Sequence, residues 1–386
     1  MLRDFHLNGE HADPAILALR QEVRDFLAAE KARGGFTVGP GLWLRVDPEF
    51  SAKLGGRGWV GMTLPREYGG HGQSALHRYV VTEELLASGA PLRFHWVADR
   101  QVGPNLLRFG TEFQKKQLLP RIAAGKCCFC VGMSEPNSGS DLASMRTRAT
   151  RATGGDNGWI INGRKIWTSN GHRAHYMNLL ARTSADKDDR RGGVSQFVLD
   201  MNTPGITIRP ILNMMGEHDF NEVEFQDVFI PDEWVIGEIG NAWNQLSTDL
   251  AYERSGSDRW LGSHELLTGA IDRLGPNPSS TAVRAIGAKV AELFTLHRMS
   301  FSLGAMLERG ETPVVEAAIA KDLGTHFEKS MPDLVELLVD EMQPDQFDEE
   351  FVAILRYSRR NAPTITVKGG AREILRGIIA RDLGLR

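Results

Sequence analysis

Residues 130–149 read CVGMSEPNSGSDLASMRTRA, and residues 158–171 read GWIINGRKIWTSNG. Both stretches lie in a part of the chain where short runs rich in β-branched and aromatic residues alternate with turn clusters. Strands at this spacing predict a small antiparallel barrel or sandwich. The other runs of this type are residues 174–183, 195–201, 205–211 and 222–231.

The chain on either side of this stretch has helical periodicity. Residues 14–32 follow an Asp-Pro start and have apolar residues three and four positions apart, and Thr111 is placed to cap a later helix. Helical patterns return from residue 233. We therefore predict a mixed α and β protein in three parts: an N-terminal helical domain (1–125), a central β domain (126–234) and a C-terminal helical domain (235–386).

Composition and charge exclude several classes of protein. The 386 residues exceed one ordinary domain, and 41% hydrophobic with 24% charged residues is typical of globular chains. Lys plus Arg (45) against Asp plus Glu (49) gives a net charge of −4 without a basic stripe, so no nucleic-acid partner is expected. No apolar run approaches the ~18 residues of a membrane span. The first residues lack an apolar signal-peptide core, so we expect a cytoplasmic protein with no membrane contact.

The three cysteines are Cys127, Cys128 and Cys130. They are too close together for an ordinary disulfide, and a zinc site would need a second cluster of ligands. We predict that they pack as small buried apolar residues and that the protein has no metal site.

A third stretch, residues 367–385, reads VKGGAREILRGIIARDLGL. With the two stretches quoted first, it resembles the signature motifs of the acyl-CoA dehydrogenase family, in the same order and over essentially the whole chain. The resemblance implies an N-terminal helical domain, a central antiparallel β-barrel and a C-terminal four-helix bundle. It also implies an enzyme that uses FAD to oxidise an acyl-CoA to a trans-2-enoyl-CoA. Such an enzyme passes its electrons to an electron-transferring flavoprotein.

The resemblance assigns binding residues in the β domain. Met133 and Ser134 match positions that reach the pyrimidine and N5 side of the flavin, while Trp167 and Ser169 match positions that cover the ring and touch N5. Ser140 resembles a residue that contacts the CoA portion. Taken singly, Ser134 and Ser140 could instead belong to ordinary turns, and Trp167 could be a core residue.

The catalytic base is displaced in this sequence. Many family members carry a carboxylate at the position of Gly369, and glycine cannot abstract a proton. Other members, including isovaleryl-type enzymes, place the glutamate on the first long helix of the C-terminal domain. The matching stretch here, residues 249–260 (DLAYERSGSDRW), puts Glu253 at that position. Glu253 is the predicted base, and the Gly369 backbone N–H is the predicted donor to the thioester oxygen.

Neighbouring residues complete the predicted site. Arg254 resembles a position that supports this helix against the substrate, although Glu253 and Arg254 could also form a solvated helix pair. The small residues 255–257 favour a bulky or branched acyl group. In the C-terminal signature, Ala371 and Glu373 match cofactor-binding positions.

The sequence departs from the family pattern in the segments with which a subunit binds the FAD of its neighbour. Residues 275–293 and 334–347 lack the expected arginine, glutamine and glycine motifs. This asymmetry suggests one member of a heteromeric tetramer, similar to enzymes that shorten sterol side chains, although a homotetramer stays open. Two other functions also stay open. The chain could be a catalytically silent subunit that binds acyl-CoA or completes a partner's FAD site, or it could be a flavin oxidase of the nitroalkane-oxidase type.

Overall fold

The computed structural model describes residues 13–36, 41, 45–153, 155, 157–184, 191–245, 256–342 and 347–385, which form two compact units. One unit is helical and the other contains the sheet. In these residues no helix is both long enough and apolar enough to cross a lipid bilayer.

The helical unit combines both ends of the chain. Its helices, numbered along the whole chain, are α1 (Pro14–Ala32), α3 (Ala75–Ala87), α7 (His264–Leu274), α8 (Ser280–Glu308), α9 (Val314–Leu338), α10 (Glu349–Ile365) and α11 (Arg372–Asp382).

Helix α1 begins where the sequence predicts a helix. The Asp13 carboxylate accepts the N–H of Ala15 at 2.8 Å, and Pro14 occupies the first turn, where its missing N–H costs nothing. The buried side of α1 packs on α3, and Arg20 reaches Glu83 at 2.8 Å. The apolar residues on that side are Ile16, Val23, Phe26 and Leu27.

Helix α9 is the central element of the C-terminal region, because it contacts α7, α8, α10 and α11. Its buried apolar residues include Ala317, Ala320, Phe327 and Met331. The predicted helical C-terminal domain is confirmed. Five helices with complete bounds lie there in the described residues, and a further helix begins at residue 242, so the region holds more helices than the four that the resemblance implied.

The second unit contains the sheet and the helices that cover it. The helices are α2 (Pro48–Gly56), α4 (Arg93–Val97), α5 (Gly103–Phe109) and α6 (Glu112–Ala123). The strands are β1 (Phe129–Gly132), β2 (Arg148–Arg151), β3 (Gly158–Lys165), β4 (Tyr176–Arg182), β5 (Val194–Asp200), β6 (Ile206–Leu212), β7 (His218–Pro231) and β8 (Val235–Ile236). Thr111 caps α6 as predicted, with its hydroxyl accepting the Gln114 N–H at 3.3 Å.

The predicted central sheet domain is confirmed, but the sheet described is open, so the word barrel fits it only loosely. Its order is β6-β7-β3-β2-β4-β5-β8, and β1 also pairs with β4. The end strands β6 and β8 are not paired with each other. The sheet is also not purely antiparallel, since β1 runs parallel to β4 and β2 meets β4 in a short parallel contact.

Burial along the strands agrees with this strand order, in which β4 and β5 are interior strands and β6 is an edge strand. Strands β4 and β5 are buried on both faces, because helix α6 covers the side of the sheet formed by Phe129, Val198 and Ile236. Strand β6 alternates half-buried and exposed residues, as expected of an edge. The other face of the sheet packs Trp159, Ile161, Met177, Leu179, Phe197, Val223 and Phe225 into one core.

Candidate functional site

A buried ion pair joins the two motifs of the β domain. Lys165 ends β3 with its side chain fully buried, and its ammonium nitrogen lies 2.9 Å from Oε1 of Glu135. The Glu135 carboxylate also accepts the N–H of Arg146 at 2.6 Å and that of Thr147 at 2.9 Å. Glu135 therefore ties the end of β3 to the segment that leads into β2.

Burial and pairing act in opposite directions on this pair. Burial lowers the pKa of the Lys165 ammonium to about 8, and the Glu135 carboxylate opposes that shift. Burial by itself would raise the pKa of Glu135, but the ammonium and the backbone donors outweigh it, so this pKa lies below its usual range. Both groups are therefore charged at neutral pH.

The same pair places the first two predicted flavin residues. The Lys165 ammonium donates to the Met133 carbonyl at 3.0 Å, and the Ile166 N–H donates to the Ser134 carbonyl at 2.9 Å. Met133 and Ser134 thus lie beside the end of β3, and Ile166, which bonds to Ser134, is the residue before Trp167. The Ser134 hydroxyl has no hydrogen-bond partner in the part of the chain that the structure describes.

Trp167 has an unusual backbone for a bulky residue. Its φ is 58°, and 56% of its surface is exposed, although its ring meets Phe220 edge-on at 5.9 Å. The next residue holds this conformation. Thr168 and Asn221 exchange two backbone hydrogen bonds of 3.0 Å, and the Asn221 side chain donates to the Thr168 carbonyl at 2.9 Å. Such local strain persists where the surroundings enforce it, often at ligand clamps.

The groups around this loop fit a flavin ring. Trp167 offers an exposed aromatic face, and the half-buried Ser169 adds a hydroxyl two residues further on. The Thr168 hydroxyl is buried with no protein partner in the described residues. The flavin ring system has apolar faces and an edge of nitrogen and oxygen atoms, so its site needs an aromatic surface and hydrogen-bonding groups. The structure brings together Met133, Ser134 and the Trp167–Ser169 loop, and their contact with FAD stays a prediction.

Ser140 lies in an exposed loop of the same unit. Ser138 anchors the loop by donating to the Asp141 carbonyl at 2.8 Å. Arg182 on β4 donates to the Ala143 carbonyl at 2.8 Å. The Ser140 side chain is therefore presented at the surface by a braced loop, where it could meet a ligand.

The C-terminal signature forms a tight turn in the helical unit. Gly369 and Gly370 have φ values of 70° and 104°, which glycine adopts without a steric penalty. Ala371 is the N-cap residue of α11 and Glu373 lies in its first turn. Lys321 of α9 donates to the Gly370 carbonyl at 3.0 Å. The predicted oxyanion donor therefore belongs to a turn that a buried side chain holds.

The predicted base and its neighbour, Glu253 and Arg254, lie outside the described residues. The described segment that follows, residues 256–263, packs against α9. The Gly262 N–H donates to Oε1 of Glu328 at 2.5 Å, and a Cβ on Gly324 would lie 2.5 Å from the Arg259 carbonyl oxygen. Burial raises the pKa of the Glu328 carboxyl to about 7, and Lys368 opposes that shift.

Four residues of these sites were missed by sequence reasoning about function. Glu135 and Lys165 stand inside the quoted motifs, and Lys165 shares the strand face of Trp159 and Ile161, which is a usable signal that its side chain is buried. Lys321 and Glu328 have no comparable signal, because charged residues on a long helix usually face solvent.

Other groupings in the described residues do not form a second site. The three cysteines are buried and free, as predicted, and burial raises the pKa of Cys128 to about 11. Ser51 Oγ lies 2.9 Å from His95 Nδ1, but Ser51 donates its proton to the Gly125 carbonyl at 2.7 Å. No group of three or more His, Cys, Asp or Glu side chains that could hold a metal occurs in the described ranges.

Replacing Lys165 with Met should destabilise the sheet unit. The change leaves the Glu135 carboxylate buried without its cation, which costs about 3–5 kcal/mol. Chemical denaturation should show this loss, and adding Glu135→Gln should recover part of it. The control is Lys126→Met, which alters an exposed lysine of the same unit. Equal stabilities of the two single variants would contradict the proposed role of the pair.

Replacing Glu328 with Gln should change how stability depends on pH. The pKa of Glu328 is about 7 in the folded protein, and its ordinary value is 4.5. Between these pH values the carboxyl is therefore protonated in the folded state and ionised in the unfolded state. Wild-type stability then falls as pH rises from 4.5 to 7. The Gln side chain does not titrate. The free energy of unfolding of the variant, relative to that of wild type, should therefore be up to about 3 kcal/mol larger at pH 8 than at pH 5. Thermal denaturation at both pH values measures the difference, and a gain independent of pH would refute it.

Comparison with known proteins places the chain in a family. A model of the acyl-CoA dehydrogenase N-terminal domain matches residues 13–126, and one of the acyl-CoA dehydrogenase middle domain matches residues 130–228. The acyl-CoA dehydrogenase IpdE1 of Mycobacterium tuberculosis (strain ATCC 25618 / H37Rv) is 32% identical over 387 residues, spanning 95% of this chain and 97% of that protein.

Two solved structures share the whole fold. The Tcur3481-Tcur3483 steroid ACAD aligns with a TM-score of 0.81 and 28% identity, covering 98% of each chain. The ChsE4-ChsE5 complex from Mycobacterium tuberculosis aligns with a TM-score of 0.81 and 25% identity, covering 98% of this chain and 100% of that chain. This chain therefore belongs to the acyl-CoA dehydrogenase family of FAD flavoproteins and is an oxidoreductase that acts on acyl-CoA.

Proposed function

We propose that this chain oxidises a bulky or branched acyl-CoA to its trans-2-enoyl-CoA, with Glu253 as the base, as one subunit of a heteromeric tetramer. The observation that carries the proposal is the Gly369–Gly370 turn. Glycine has no side chain, so only backbone groups are available at these two positions. The base must therefore come from another element, and Glu253 is the glutamate at the position that the resemblance indicates.

The residues of the sheet unit would hold the flavin. When bound, FAD supplies the acceptor for the β hydride. Met133 and Ser134 would contact its edge, Trp167 would cover one face, and the Ser169 hydroxyl would donate near N5. The braced loop around Ser140 would contact the CoA portion. In the helical unit, Ala371 and Glu373 would complete the cofactor contacts.

The proton is handled by the helical unit. Glu253 would remove the α proton, while the Gly369 N–H donates to the thioester oxygen as negative charge develops there. A backbone donor suits this role because it needs no side chain and does not titrate. Arg254 would support the helix that carries the base.

Small residues after the base favour a large acyl group. Gly256 and Ser257 follow Glu253 closely, and Ser257 is fully buried with no partner for its hydroxyl among the described residues. One of the similar structures is described as a steroid ACAD. Small side chains at these positions would leave room for a sterol-derived or branched acyl chain, which larger side chains would exclude.

The helical unit also supports the heteromeric arrangement. Arg273 lies in the last turn of α7, just before the loop where the family pattern requires an arginine for the neighbour's FAD. Here its guanidinium donates to Asp348 at 2.6 Å and lies 4.0 Å over the Phe351 ring. That arginine is thus engaged within its own unit. A sister subunit would then supply the grip on the FAD pyrophosphate, and an electron-transferring flavoprotein would accept the electrons.

Replacing Glu253 with Gln tests the base. Flavin reduction by octanoyl-CoA and by cholyl-CoA, a sterol-derived thioester, should fall by roughly 10²- to 10⁴-fold, because the α proton has no acceptor. Rapid-mixing absorbance of the flavin measures this step. The control is Glu292→Gln on α8, which alters a partly exposed glutamate that pairs with Lys289. Unchanged flavin reduction in the Glu253 variant would favour a base elsewhere. Wild-type protein that is loaded with FAD and binds both thioesters without flavin reduction would favour the silent-subunit function.

Purification of the chain alone tests the assembly. We expect little FAD to remain bound, because each neighbouring chain lacks the pyrophosphate grip. Absorbance in the flavin bands and the mass of the assembly measure both properties. A yellow, active homotetramer would refute the heteromeric part of the proposal and leave the reaction itself intact.

A further inference from the structure

The turn that carries Gly369 contains two consecutive glycines. Gly369 and Gly370 have no Cβ to restrict them, so the local sequence does not favour one conformation of this turn over another. Within the turn, the Gly370 N–H bonds to the Val367 carbonyl at 3.2 Å. A donor that must meet an oxygen within a few tenths of an ångström needs further restraint from outside the turn.

Helix α9 provides that restraint through two consecutive residues. Lys321 is 1% exposed, and its ammonium donates to the Gly370 carbonyl at 3.0 Å. Asp322 accepts the Arg372 Nε at 2.5 Å and the Arg376 Nε at 3.4 Å, which fixes the first turn of α11. The two-glycine turn is thus held by Lys321 at the carbonyl of its second glycine, and the helix that follows it is held by Asp322.

The same face of α9 also contacts the segment that follows the predicted base. Lys321, Gly324 and Glu328 are three and four positions apart, so they share one side of the helix. The backbone of Arg259 approaches α9 closely at Gly324, and the Gly262 N–H bonds to Glu328. One rigid helix face therefore supports both the Gly369 turn and residues 259–262, a few positions after Glu253.

We propose that Lys321 is a positioning residue, which holds the Gly369–Gly370 turn so that the Gly369 N–H meets the thioester oxygen. This inference rests on the function proposed above for Gly369. A lysine is seldom buried in a helix face unless its ammonium is bound, and here it is bound to the peptide that follows the predicted donor. Its effect is exerted through the turn, and it does not itself touch the substrate.

The test compares full-length wild type with Lys321→Met, Lys321→Arg and the control Lys329→Met. Lys329 is a half-buried lysine on the same helix, and its ammonium has no polar partner in the described residues. Hydrogen–deuterium exchange is measured for the peptide covering residues 366–372. Steady-state rates are measured on protein loaded with FAD, with octanoyl-CoA, cholyl-CoA and an artificial electron acceptor.

The Met variant should exchange this peptide several-fold faster than wild type. Its kcat should fall roughly ten- to a hundred-fold with KM changed less than about threefold, because a misplaced donor weakens the transition state more than binding. Lys321→Arg keeps a cationic donor and should recover part of kcat, while Lys329→Met should match wild type in both measurements.

Three results would overturn the proposal. The first is wild-type exchange in the folded Met variant, and the second is an unchanged kcat. The third is failure of both Lys321 variants to fold while Lys329→Met folds, because Lys321 would then stabilise the whole unit and not the turn. Wild type that is inactive although it is loaded with FAD would refute the proposed function instead, and the exchange measurement would still decide whether Lys321 holds the turn.

Discussion

The buried pair between Lys165 and Glu135 is the interaction on which the sheet unit's site depends. It is costly, since both charges leave water, and it is stable only because every partner is in place. The ammonium binds both Glu135 and the Met133 carbonyl, and the carboxylate binds two backbone N–H groups. These bonds bring two motifs that are separated in sequence to one end of β3. The strained Trp167 follows directly and is held in turn by the pairing of Thr168 with Asn221.

In the helical unit, the signature turn is also held by charged side chains, which here come from a helix. Its signature turn is made of glycines, which give a close approach of the backbone but no rigidity. Helix α9 supplies the rigidity through Lys321 and Asp322. In both units, a buried lysine binds a backbone carbonyl at the point where a ligand-contacting peptide is proposed. The chemistry assigned to backbone groups therefore depends on charged side chains that do not take part in it.

Much of the fold and part of the site could be predicted from residues close together in sequence. The Asp-Pro start of α1, the Thr111 cap of α6 and the strand-rich middle region are local patterns, and they were confirmed. The open form of the sheet could not be predicted, because closure depends on whether the edge strands β6 and β8 meet, which alternation along a strand does not specify. The burial of Lys165 could have been suspected because it shares the strand face of Trp159 and Ile161.

The sequence alone determined the family, the cofactor class and the glycine at the position of the expected acid, because each depends on residue identity within a short motif. Only the tertiary structure decided what holds those motifs in place. Lys321 and Gly370 are 49 residues apart, and Lys165 and Glu135 are 30 apart. No periodic pattern connects residues at such separations. Contacts of this kind form when helices and strands pack, so their partners are set by the three-dimensional fold and not by local propensity.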